Sequence, residues 1–177
     1  MQEAEVSLRV ALYYIQNKLT DEDVRVSLDG AHIRTKGVVH FDIYTFLKTH
    51  KCTKMDDDSE RWQGVYKVEG FDSKIIIDSK SGIGDVNIVS KDGNHLYIES
   101  KKGKKNNRSN SEYPLMREAI GQLMTGCQLD EKTIPIVAVP YSDKSYELAC
   151  RWSAYQQIKL VGIRFMLVHG SGNVDII

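Results

Sequence analysis

Asp85, Glu99 and Lys101 are the residues of this chain whose types and spacing could do chemistry. They lie in the stretch GIGDVNIVSKDGNHLYIESKKGKK, residues 82–105. Two carboxylates meeting at a strand end give a hard cation its oxygen ligands, and a lysine beside them leaves an ammonium free. Mg²⁺ takes oxygen ligands at about 2.0–2.1 Å and keeps several waters, one of which can attack a phosphate. The lysine can orient or help deprotonate that water, or stabilise charge on the phosphoryl group. An acid followed two residues later by lysine is a weak signal alone. It occurs at Asp72-Lys74, Asp78-Lys80, Glu99-Lys101 and Asp130-Lys132. The last lies in a polar loop and the first precedes its strand, so both read as turns. Asp78-Lys80 follows three isoleucines and is the serious competitor. Glu99-Lys101 is favoured because it closes a hairpin strand, has Asp85 on the partner strand, and runs into a basic loop and a helix.

The elements that must position these groups follow from periodicity. Residues 3–19 carry Leu8, Leu12, Ile15 and Leu19 at helical spacing. Val24 to Leu28 alternate as a strand, and Asp29-Gly30 signals a hairpin turn into residues 31–35. Val38 to Phe41 reads as a strand and Ile43 to His50 as a short helix. MDDDSE (55–60) is an acidic loop that divides residues 1–60 from a core at 61–177 within one domain. Strands are expected at 65–68, 74–78 and 85–89. Lys91-Asp92-Gly93-Asn94 is a hairpin turn, and 96–101 is the returning strand. A helix at 114–125 starts near Pro114 and stops at Gly126. A buried strand at 134–139, a helix at 144–158 and a strand at 163–168 complete a mixed α/β sheet covered by helices. On the returning strand Tyr97, Glu99 and Lys101 share a face, with Glu99 and Lys101 roughly 6.5–7 Å apart.

Composition bounds the partners. The chain has 177 residues, 41% hydrophobic and 27% charged, as an ordinary globular domain has. The 24 basic and 24 acidic side chains cancel, so any attraction for nucleic acid must be local. A local source exists: Lys101 to Arg108 holds five basic residues in eight. Lys102, Lys104, Lys105 and Arg108 can neutralise phosphates directly after the acid pair without reading sequence. The N-terminus lacks the basic start of a signal peptide and no apolar run is long enough to span a membrane. Cys52, Cys127 and Cys150 form no CxxC pair and read as free thiols of a cytoplasmic protein. The five histidines lack zinc-ligand spacing.

Asp85 followed by Glu99-Ser100-Lys101, on a hairpin leading into a helix, resembles the PD-(D/E)XK nuclease superfamily. The resemblance covers about residues 62–140. It implies a restriction-endonuclease-like fold, here with an N-terminal helix/hairpin extension, and Mg²⁺-dependent hydrolysis of DNA, with Mn²⁺ able to substitute. It also implies metal binding by Asp85, Glu99 and the Ser100 carbonyl, and catalysis by Lys101. The helix segment Arg117 to Leu123 resembles the family's second helix, where Gln122 is a candidate for site support. An acid on the first helix, Glu3 or Glu5, is a further candidate. Relatives that cut both strands are often homodimers. Gly84 stands where the family's motif usually has proline, and Gly126 replaces a tyrosine common in one subgroup. The competing class is a catalytically inactive nuclease-fold protein that binds nucleic acid or a protein partner.

Overall fold

The computed structural model describes residues 1–56, 61–80, 84–103, 112–126 and 128–177. In chain order the elements are α1 (Glu3–Gln16), β1 (Val24–Ser27), α2 (Gly30–Ile33), β2 (Arg34–Thr35), β3 (Val38–Val39), α3 (Ile43–Thr49), β4 (Cys52–Lys54), β5 (Gly64–Val68), β6 (Lys74–Asp78), β7 (Val86–Val89) and β8 (His95–Ser100). They continue with α4 (Glu112–Gly126), β9 (Thr133–Pro140), α5 (Asp143–Ser153), α6 (Gln156–Val161), β10 (Arg164–Val168) and β11 (Val174–Ile176). Nine of these strands form one mixed sheet in the order β11-β10-β9-β8-β7-β1-β6-β5-β4, and β2 pairs with β3 alone.

Burial along the strands shows how the helices cover this sheet. Val137, Val139, Phe165 and Leu167 pack with Met116, Leu148 and Trp152 of α4 and α5, while Ile136, Ala138, Met166 and Val168 pack into the cluster that holds α1. β9 and β10 are therefore buried on both faces, which is why their sequences read as unbroken apolar runs. In β1, β6 and β7 burial alternates: Val24, Val26, Ile75, Ile77, Val86 and Ile88 are buried, whereas Arg25, Ile76 and Asn87 are half-buried. α1 packs over β1 and β7 on one face, and α4 and α5 cover the other face over β8 to β10. The edge of the α4 cover falls at β8.

Three expectations need correction. The hairpin expected at Asp29-Gly30 does not form. The Asp29 carboxylate accepts from Ala31 N at 2.8 Å and starts a helical turn instead, so only Arg34–Thr35 of the expected strand is extended, paired with Val38–Val39. An aspartate ahead of a turn of helix satisfies an amide that a strand would leave to its neighbour. Second, β1 is no part of an appended hairpin. It lies between β6 and β7, parallel to the first and antiparallel to the second, and α1 packs across the sheet beside it. Residues 1–60 therefore supply a central strand and a covering helix rather than an extension of a 61–177 core. Third, the helix expected at 144–158 is two. Ser142 and Ser145 form a reciprocal cap that starts α5, and Tyr155 is extended between α5 and α6.

Candidate active site

β7 and β8 are a hairpin in which Val86 faces Ile98, so the next pair outward is Asp85 opposite Glu99. Asp85 lies just before β7, yet its backbone is fixed on both sides. Its N–H donates to Ile98 O at 3.0 Å, and its carbonyl accepts from Ser27 N at 2.8 Å. Its side chain is fixed as well, because Oδ2 accepts from Ser100 N at 2.7 Å. Ser100 thus holds Asp85 through its backbone amide, while its own side chain is buried on the α1 face. Continuing the register through Ser27 to Asp78 gives one cross-strand row, Asp78–Ser27–Asp85–Glu99, on the α4 side of the sheet.

Gly84 shows why the strand entry differs from the proline of the resembling family. Its φ is +75°, which proline cannot adopt, and a Cβ there would sit 2.9 Å from the Tyr97 ring. The Tyr97 hydroxyl in turn donates to Gly126 O at 3.1 Å. The ring therefore fills the space between the start of β7 and the end of α4, and small residues at 84 and 126 make room for it.

Lys101 follows β8 and is 4% exposed. Its N–H continues the ladder to Ala138 O at 2.9 Å, and its Nζ lies 3.3 Å from Glu118 of α4 and 4.0 Å from Glu3 of α1. Glu3 reaches there because Gly103 N donates to Met1 O at 2.9 Å, tying the start of α1 to the chain just past Lys101. Glu3 Oε1 also lies 3.4 Å from His32 Nδ1 of α2. Of the two helix acids, Glu5 turns to Arg9, at 2.9 Å on its own helix, and Glu3 approaches the lysine.

The carboxylates carry an electrostatic cost. Burial pushes Asp85 up to about 6, helped by the Glu3 charge and opposed by the Ser100 N–H, Lys101 and His32. Burial likewise pushes Glu99 up to about 7, and the Asp85 charge raises it further while Lys101 opposes. Two such groups, both titrating near neutrality, have the character of a cation site or of an acid–base pair. Among the described residues no three His, Cys, Asp or Glu side chains cluster as a metal cage. The donor set is two carboxylates, which fits Mg²⁺: it is usually held by one or two carboxylates and completes its shell with water and substrate phosphate.

A cleft of about 490 Å³ opens over this row. Its floor includes Ser27, Asp85, Tyr97 and Glu99; Gln122, Thr125 and Gly126 of α4 form one wall, and Ser79 and Lys80 the other. Gln122 is thus brought to the site. Lys102 is exposed just after Lys101, and Lys104, Lys105 and Arg108 lie outside the described residues. Lys80, weighed in the sequence only as part of the competing Asp78-Lys80 pair, lines the same cleft as Asp85 and Glu99, whereas Glu118 and His32 were not singled out as site residues. Glu118 carried a signal, since helical periodicity sets it beside Gln122 at the edge of the apolar stripe. His32 carried none. Comparison of the chain with protein-family models, with curated proteins and with solved structures returned no match, so the functional reading rests on this geometry.

Proposed function

We propose that this chain is a Mg²⁺-dependent nuclease of the PD-(D/E)XK type, with a restriction-endonuclease-like fold, that hydrolyses phosphodiester bonds in DNA. The observation that carries the reading is the pair Asp85 and Glu99, both raised toward neutrality, next to a buried lysine at the end of β8. Asp85, Glu99 and the Ser100 carbonyl would hold the cation. When bound, Mg²⁺, or Mn²⁺ in its place, supplies a Lewis acid and a more acidic water. Asp85 is preset for this role by the Ser100 amide, which fixes Oδ2, while the side chain lines the cleft and meets Glu99. Lys101 is held from both sides by Glu3 and Glu118, so its ammonium can donate to the attacking water or to a phosphoryl oxygen without first losing rotamer freedom. Gln122 and Thr125 offer neutral donors along the α4 wall. Lys102, with Lys104, Lys105 and Arg108, neutralises phosphates beyond the cut. The free thiols of Cys52 and Cys150 suit a cytoplasmic protein. No described helix is long and apolar enough to cross a membrane. A homodimer would let two such sites cut both strands.

The test is incubation with linear, circular, branched and single-stranded DNA, with Mg²⁺ or Mn²⁺ against EDTA. Metal-dependent cleavage of at least one substrate, lost in Glu99→Gln, is the expected result. Metal and DNA binding without cleavage would assign the chain to the non-catalytic alternative.

A further inference from the structure

We infer that Lys80, on the wall of the cleft opposite α4, forms a phosphate-binding subsite for the strand being cut; this rests on the nuclease reading above. Four observations lead to it. β6 and β8 run in the same direction, because β6 is parallel to β1, β1 antiparallel to β7, and β7 antiparallel to β8. Both strands end at the same edge of the sheet in an acid-x-lysine segment, Asp78-Ser79-Lys80 and Glu99-Ser100-Lys101. Both segments contribute to one cleft: Ser79 and Lys80 of the first line it together with Asp85 and with Glu99 of the second. At about 4.8 Å per strand step, the β6 end stands roughly 10 Å from β7 and roughly 14 Å from β8, a span that a short run of nucleotides crosses.

The fourth observation separates the roles of the two segments. Asp78 is fully engaged by its own protein: Oδ1 accepts from Ser27 Oγ at 2.8 Å and from Lys80 N at 3.1 Å, and Oδ2 lies 3.7 Å from Arg25 Nε. It fixes the turn and is not free to ligate a cation. The Lys80 ammonium has no ion pair or hydrogen bond among the described residues, whereas Lys101 is held by Glu3 and Glu118. An exposed ammonium with no partner among the described residues, on the same cleft as an acid pair that would hold a cation, is suited to a phosphate of the same strand, away from the scissile one. Lys80 is accordingly a binding group and Lys101 the one near the reacting atoms.

The experiment measures binding of a single-stranded oligonucleotide in Ca²⁺ at several salt concentrations, together with single-turnover cleavage in Mg²⁺. Lys80→Ala should weaken binding about tenfold and flatten the log–log salt slope by about 0.7, the release expected for one phosphate contact on a single strand. Lys80→Arg should restore most of both. Lys91→Ala serves as the control for loss of one positive charge; Lys91 pairs with Asp21 at 3.2 Å at the far turn of the hairpin, and its variant should bind as wild type does. The effect of Lys80→Ala should fall on half-saturation rather than on the saturated rate. Wild-type cleavage combined with an unchanged salt slope in Lys80→Ala would overturn the subsite alone. Absence of any DNA binding by the wild type would overturn the subsite and the nuclease reading together.

Discussion

Two strand ends in this molecule carry the same local sequence pattern and put it to opposite electrostatic use. At the end of β6, Asp78 is satisfied by Ser27, Arg25 and the Lys80 amide, and the lysine's ammonium has no partner among the described residues. At the end of β8, Glu99 is buried against Asp85 and pushed up to about 7, and the lysine is clamped between Glu3 and Glu118. A satisfied acid stabilises a turn; an acid that burial and a like charge hold near neutrality is poised to take a cation. The difference teaches that an acid-x-lysine segment acquires a role from what its neighbours leave unsatisfied, not from its spacing.

The largest effect that could break this comparison is on turnover. Glu99→Gln and Asp85→Asn should each lower metal-dependent cleavage by about a thousandfold or more, the scale of losing a preorganised electrostatic group. Asp78→Asn should cost at most a few-fold, because its hydrogen bonds from Ser27 and the Lys80 amide survive the change. Equal losses at the two strand ends, in single-turnover assays, would erase the distinction.

A smaller effect sharpens it through stability. Asp85 and Glu99 bind their protons more tightly in the folded chain than in the unfolded one, so folding takes up protons between about pH 4 and pH 7. Their contribution to stability therefore falls as pH rises through that window. Glu99→Gln mimics the protonated form and should be more stable than wild type at pH 8, on the order of 3 kcal/mol at about 1.4 kcal/mol per pKa unit. The gap should close near pH 4. Mg²⁺ should raise the midpoint of wild type more at pH 8 than at pH 5 and leave Glu99→Gln unmoved. Thermal unfolding across this range checks all three. A variant that is less stable than wild type at pH 8 would mean that the acid pair is not under strain.

Much of this was legible in the sequence, and what was missed has a common cause. The alternating strands from 64 to 100 and the unbroken apolar runs of β9 and β10 are local patterns, and the structure places strands there within a residue or two. Glu99 could be preferred to Asp78 from its hairpin partner and the helix that follows. The insertion of β1 between β6 and β7 was hidden because pairing across some fifty residues leaves no periodic mark on either segment. That one unseen pairing also hid that Lys80 and Glu99 line one cleft, since the row Asp78–Ser27–Asp85–Glu99 exists only once β1 is in place. β4 and β11, three residues each, are too short for alternation to declare them. The choice between Glu3 and Glu5 depended on where α1 begins against Gly103, a contact between distant backbone atoms.

The smallest expected effect concerns the residue between Glu99 and Lys101. Ser100 is fully buried, and its Oγ has no hydrogen-bond partner among the described residues. Only its backbone serves the site, so Ser100→Ala should leave cleavage within about twofold and raise stability by up to about 1 kcal/mol, as removal of an unsatisfied buried hydroxyl does. Chemical denaturation and the cleavage assay together check it. A large loss of activity would show that the hydroxyl itself takes part.

The central claim is that the end of β8 performs the chemistry and the end of β6 only binds. Single-turnover cleavage of saturating DNA by wild type, Lys101→Ala and Lys80→Ala, in Mg²⁺ and in EDTA, tests it most directly. Wild type should cut only with metal, Lys80→Ala should approach the wild-type rate at saturation, and Lys101→Ala should lose cleavage while still binding the metal. Full cleavage by Lys101→Ala, with activity lost in Lys80→Ala, would contradict the account.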